Sequence, residues 1–206
     1  DLVDVRSYKS LLDFFSDPTA TLAAYHFTDA TSDMMSKWLD RIAEGEPDSG
    51  RAMALAGYRG VGKSHFLATL AAIVSMPEVR SRISDQHVSI STQRLKRKRY
   101  PVAFVRRGTH ASLLEELKSA LAHAFGAEAR QLSDNIPELL EWASTRAGDL
   151  PFVLIADTAI ERKTRVSRDD GVILGEIAEH ARRLNIFVGV ALDDDIAGAD
   201  GVNAAI

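Results

Sequence analysis

Gly57-Tyr58-Arg59-Gly60-Val61-Gly62-Lys63-Ser64 has the spacing G-x-x-x-x-G-K-[ST]. Glycines at such positions let the backbone fold tightly, so that successive N–H groups point inward and cradle phosphate oxygens. Lys63 adds a mobile positive charge suited to β- and γ-phosphates, and the Ser64 hydroxyl is a hard oxygen ligand for Mg²⁺. We take Gly57, Tyr58, Arg59, Gly60, Val61, Gly62, Lys63, Ser64 and His65 as the candidate nucleotide-binding stretch. The plainer alternative is a glycine-rich turn that happens to carry a lysine and a serine, and the flanking residues weigh against it.

Magnesium that bridges nucleotide phosphates also needs a carboxylate, supplied from the end of a neighbouring strand. Phe152-Val153-Leu154-Ile155-Ala156-Asp157 is apolar until its last residue, which makes Asp157 the candidate metal ligand beside Ser64. The competing role for Asp157 is a helix N-cap or loop aspartate. Lys63, Asp157 and Glu161 form the candidate catalytic set.

These residues need elements to position them. Ala52 to Ala56 reads as a short buried strand and Lys63 to Val74 as a helix, with Phe66, Leu67, Leu70 and Ile73 on its apolar face. The N-terminus of such a helix, with its free N–H groups and dipole, points at a bound anion. Further strands are expected at 101–105, 152–157 and 186–191. Helices are expected at 113–125, stopped by Gly126, at 137–146 with Pro137 in its first turn, and at 170–184. This alternation predicts an α/β fold, a three-layer sandwich with a mainly parallel sheet and ligands beyond the carboxyl ends of its strands. We expect a helical lead-in over 1–49 and a nucleotide-binding core over 50–206. Within the lead-in, Leu11 to Phe15 has helical spacing ended by Asp17-Pro18, and residues 31–43 carry an apolar stripe of Met34, Met35, Trp38, Leu39 and Ile42. Tyr25-His26-Phe27-Thr28 is placed to wall a base pocket, although burial is the commoner use of such aromatics. Residues 78–99 have weak helical character and poor apolar periodicity.

The loop at 57–64, the strand ending at Asp157 and the intervening strand at 101–105 resemble the P-loop ATPases of the additional-strand group, which includes the AAA+ and STAND proteins. The resemblance implies an extra strand between the two motif strands, and a polar sensor of the γ-phosphate at the end of the fourth strand, where Asp193 stands. It also implies MgATP as ligand and nucleotide-driven movement of a partner as activity. Asp1-Leu2-Val3-Asp4-Val5-Arg6, together with the phosphate loop and His65, is loosely similar to large bacterial ATPases, some of them associated with BREX-type phage defence. One departure bears on hydrolysis: hydrolytic members place a glutamate directly after the metal-site aspartate, and this chain has Thr158 there. Glu161, three residues further on, is the candidate to assist water, with a solvated surface acid as the plainer role for it and for Asp193. A slow nucleotide-dependent switch, a small-molecule kinase and a structural domain with a vestigial loop stand as alternatives to an ATPase.

With 206 residues, 46% hydrophobic and 26% charged, the chain suffices for one sizeable core. It begins at Asp1 and stops at Ile206 soon after an apolar run, so we expect an excised part of a longer protein. It contains no cysteine, which excludes disulfides and thiolate metal sites, and with no apolar run of about 18 residues a cytoplasmic location is the expectation. A net charge of -4 gives no global attraction to nucleic acid, so any such contact needs a local patch. Arg94, Lys96, Arg97, Lys98, Arg99, Arg106 and Arg107 form one acid-free run, and Arg162, Lys163, Arg165 and Arg168 another. The first is a candidate for nucleic-acid phosphates or an adjacent subunit, the second for an arginine reaching a neighbour's γ-phosphate, and both have the plainer role of a solvated face. The histidines show no metal-ligand spacing.

Overall fold

The computed structural model describes residues 16–45, 51–57, 62–106, 108–157 and 168–193. Strands β1 (Arg51–Gly57), β2 (Val102–Arg106), β3 (Phe152–Asp157) and β4 (Ile186–Asp193) form a four-stranded sheet in the order β1-β4-β3-β2. All three pairings are parallel. The helices are α1 (Pro18–Ala24), α2 (Asp29–Glu44), α3 (Lys63–Ser75), α4 (Gln86–Arg94), α5 (Leu113–Phe125), α6 (Ile136–Ala147) and α7 (Arg168–Arg183).

Strand residues alternate between two cores because successive side chains leave a strand on opposite faces. Met53, Leu55, Val102, Phe104, Val153, Ile155, Phe187 and Ala191 face α1 to α4. Ala52, Ala54, Ala103, Val105, Leu154, Ala156, Val188 and Val190 face α5 to α7. The sheet is therefore the middle layer of an α/β structure, and β3 is buried along its whole length, as its unbroken apolar sequence requires.

Local signals set the helix ends. Thr28 and Thr31 cap α2 reciprocally, and the Asp85, Ser112 and Asn135 side chains accept from the N–H groups of Val88, Glu115 and Glu138 at the starts of α4, α5 and α6. Gly126 ends α5 in the left-handed region at φ 65°, a conformation that costs glycine little. At Gly189 the demand is for space: a Cβ there would lie 2.9 Å from Cζ3 of Trp38, whose buried ring also meets Phe66 and Phe187 edge-on or tilted, at 5.3 and 5.5 Å. Trp38, Met35, Leu39 and Ile42 thus place the described part of the N-terminal lead-in directly in the sheet's core.

Two local readings gain detail. The Leu11 to Phe15 pattern lies outside the described residues, but Ser16 is helical and Asp17 is not, so a helix stops at Asp17-Pro18 as expected, and the same pair also begins α1. The Asp17 carboxylate accepts from Ala20 N–H at 2.9 Å, and Pro18 occupies the first turn, where its missing donor costs nothing. Residues 78–99 hold a 3-10 segment, Pro77–Arg82, and then α4. The buried positions of that second stretch are Val88, Ser91, Thr92 and Leu95, a regular helical stripe whose two polar members hide it from an apolar count. Arg80, within the 3-10 segment, is a buried guanidinium that donates to the carbonyls of Ile73 (2.7 Å), Val74 (2.9 Å) and Lys98 (2.7 Å), so it ties the end of α3 to the turn before β2. Burial pulls its pKa below the ordinary arginine value.

Candidate functional site

The carboxyl end of β1 is Gly57, and α3 begins immediately after Gly62. Gly62 is the N-cap at φ 89°, and its carbonyl accepts from Phe66 N–H at 2.9 Å, the first bond of the helix. A Cβ at Gly62 would meet nothing within 4 Å, so the backbone conformation, and not crowding, calls for glycine here. Tyr58, Arg59, Gly60 and Val61 lie outside the described residues, as do Thr158, Glu161 and the basic residues at 162–165.

The structure brings Ser64 and Asp157 together. Ser64 Oγ donates to Asp157 Oδ2 at 2.7 Å, with Asp157 at the tip of β3 and 9% exposed. Lys63, beside Ser64, is 8% exposed. The strand β4 lies between β1 and β3, so the tip of β3 is about 10 Å across the sheet from β1, two spacings of parallel strands. The start of α3 bridges that gap. Asp193, at the carboxyl end of β4, is the register partner of Gly57. The chain leaves β1 for α3 on one face of the sheet and leaves β3 for α7 on the other, and α/β sheets bind ligands where connections part in this way.

The two oxygens suit a magnesium ion. An octahedral Mg²⁺ with metal–oxygen distances of about 2.0–2.1 Å places neighbouring ligands roughly 2.9 Å apart. The 2.7 Å between Ser64 Oγ and Asp157 Oδ2 is close to that edge. Both donors are hard oxygens, and a site with one carboxylate leaves the remaining positions to phosphate and water, the usual arrangement for this ion. Among the described residues no cluster of three His, Cys, Asp or Glu gathers that could hold a metal by side chains of those types alone.

His65 turns to the N-terminal segment. Its Nε2 lies 3.0 Å from the carbonyl of Thr21, and its ring meets Tyr25 edge-on at 4.9 Å. Tyr25 also meets Phe27 at 4.9 Å and Phe66 at 6.4 Å, and both Tyr25 and Phe27 are partly buried against the core. Burial raises the Tyr25 phenol above its ordinary pKa, opposed by the Thr31 hydroxyl. These aromatics secure α1 to the start of α3, so the segment ahead of the candidate phosphate loop is held against the helix that follows that loop.

The acid-free run from Arg94 to Arg107 is divided by the fold. Arg94 to Arg99 precede β2 and Arg106 ends it, so the strand separates Arg99 from Arg106 by roughly 20 Å. Arg94 is paired with Asp40 and Arg99 with Glu78, while Lys96, Arg97 and Lys98 stand exposed on a turn whose carbonyls Arg80 holds. Sequence counting merged two ends of the sheet; the signal that separates them is the β-forming stretch between the cations.

Sequence reasoning also passed over Glu116. This buried residue of α5 accepts through Oε1 from the N–H groups of Gly108, Thr109 (2.9 Å) and His110 (3.2 Å), fastening the turn after β2. Among the described residues, no helix is long and apolar enough to cross a membrane. No protein-family model matches the chain, and neither curated proteins nor solved structures yield a match.

Proposed function

We propose that residues 50–206 are the MgATP-binding core of a P-loop ATPase of the additional-strand type, working in the cytoplasm. It would couple nucleotide binding and hydrolysis to conformational change in a larger bacterial assembly. The observation that carries this reading is the Ser64–Asp157 hydrogen bond at the start of α3, formed across a strand order in which β4 separates β1 from β3. In this reading the N–H groups of residues 60–65 and the Lys63 ammonium bind the phosphates, and Ser64 and Asp157 hold Mg²⁺. When bound, the ion neutralises charge on the β- and γ-phosphates. Glu161 is the candidate to orient water.

One sequence observation favours a second form of the same reading, a slow nucleotide switch: Thr158 follows Asp157 where a base would be needed. Equilibrium titration with labelled ATP and GTP, with and without Mg²⁺, tests the shared claim. Lys63→Ala should weaken MgATP binding by about tenfold or more, because a charge-assisted contact is lost, with the melting profile unchanged. Equal affinity of wild type and variant would overturn the assignment.

A further inference from the structure

We propose that Arg106 is a further side chain of this site and reads the terminal phosphate of a bound nucleoside triphosphate. The inference rests on the nucleotide reading above and deepens it. Its starting point is register: Arg106 and Asp157 are direct partners in the parallel β2–β3 pairing, both at the last position of their strands. Partners in a parallel pair project to the same face, about 4.8 Å apart. Alternation fixes which face, since Val102 and Phe104 of β2, like Val153 and Ile155 of β3, lie against the core under α3. Arg106 therefore leaves the sheet on the side where Ser64 meets Asp157.

The surroundings keep it available. Arg106 is exposed and takes part in no ion pair among the described residues. The chain after β2 is drawn to the opposite face, where Glu116 of α5 collects the N–H groups of Gly108, Thr109 and His110. The Thr109 hydroxyl donates back to the Arg106 carbonyl at 3.0 Å, so the backbone that carries the guanidinium is fixed while its side chain is left uncovered. Among the described residues, strand β2 is also the sheet edge, with β3 as its neighbour, and no further described strand lies outside Arg106.

Charge explains what such a residue would do. Ser64 and Asp157 present oxygen ligands, with Lys63 as the nearby cation, and a triphosphate brings more negative charge than one lysine and one divalent ion balance. A planar guanidinium with several donors suits a phosphoryl oxygen, and its exposed position leaves it free to move with the ligand. In the nucleotide reading the start of α3 would hold the β-phosphate, so Arg106 should distinguish triphosphate from diphosphate while contributing little to the affinity for diphosphate.

Parallel titrations of the full chain with MgADP and with a slowly hydrolysed MgATP analogue test this, using wild type, Arg106→Ala and Arg106→Lys. The expected result is a loss of triphosphate affinity of about tenfold in Arg106→Ala, with partial recovery in Arg106→Lys and diphosphate affinity changed less than about twofold. Matching thermal melts establish that the exposed substitutions leave the fold intact. If both nucleotides bind wild type and Arg106→Ala leaves their affinity ratio unchanged, the role of Arg106 is overturned and the nucleotide reading stands. If wild type binds neither nucleotide, both are overturned.

Discussion

The Ser64 hydroxyl donates to Oδ2 of Asp157 at 2.7 Å, joining residues 93 positions apart in the chain. A helix start and a strand tip are held together at the spacing of two magnesium ligands. In Ser64→Ala that link is lost. The folded state should lose about 1 to 3 kcal/mol in urea unfolding, the usual range for a bond to a charged, buried acceptor. The ratio of ATP affinities with and without Mg²⁺ should fall towards one. A variant that keeps the full magnesium dependence would show that Ser64 is structural.

Thr158 separates a motor from a switch. General-base assistance contributes about 10²- to 10⁴-fold, so Thr158→Glu should raise single-turnover hydrolysis by at least about tenfold while MgATP binding stays near wild type. Brisk wild-type hydrolysis that Glu161→Gln abolishes without loss of binding would instead make Glu161 the base.

The turn carrying Lys96, Arg97 and Lys98 stands at the amino end of β2, away from Asp157 at the carboxyl end of β3. If it contacts nucleic-acid phosphates, binding of a labelled duplex should fall steeply from low to moderate salt and be lost in a Lys96→Ala, Arg97→Ala, Lys98→Ala triple variant. The same variant should bind MgATP normally. Salt-independent binding, or binding unaffected by the triple change, would leave the turn as a solvated surface.

Gly189 is where β4 lets Trp38 approach. Adding a methyl group 2.9 Å from Trp38 Cζ3 forces the ring or the strand to shift, so Gly189→Ala should destabilise the fold by about 1 to 3 kcal/mol. Trp38 is 1% exposed and its emission should move red as its packing loosens. An unchanged midpoint in urea would mean that the ring repacks without cost.

Asp85 predicts a pH dependence. Burial pushes its carboxyl up, but the Val88 N–H at 3.0 Å, the Ser32 hydroxyl at 2.7 Å and the charge of His87 outweigh burial and hold it below the ordinary aspartate value. A depressed folded-state pKa contributes stability that is complete above the unfolded value, about 4, and lost as pH falls through the folded one. Unfolding free energies of wild type and Asp85→Asn should therefore differ near neutral pH and converge below about pH 4. Curves that stay parallel down to pH 3 would show that the carboxylate contributes nothing as a charge.

Much of this architecture is written in local pattern. The apolar run ending in Asp157, the stripe of α5 stopped by Gly126 and the helix opening at Lys63 are visible because strand and helix periods are short and each residue's neighbours suffice to set them. The same short range explains what sequence concealed. Ser91 and Thr92 are buried polar members of a helical stripe, and no apolar count finds them. Asp17-Pro18 is legible as the stop of one helix, but that the same pair starts another shows only once the segment beyond it is seen. The strand order β1-β4-β3-β2 and the contact of Ser64 with Asp157 depend on how distant segments pair, which no window of sequence contains. Arg106 shows the limit most plainly. Its residue type and its neighbours in sequence assign it to a basic run, whereas the β2–β3 register and the alternation of side chains put it beside Asp157, because position on a sheet is a property of paired strands and not of one segment.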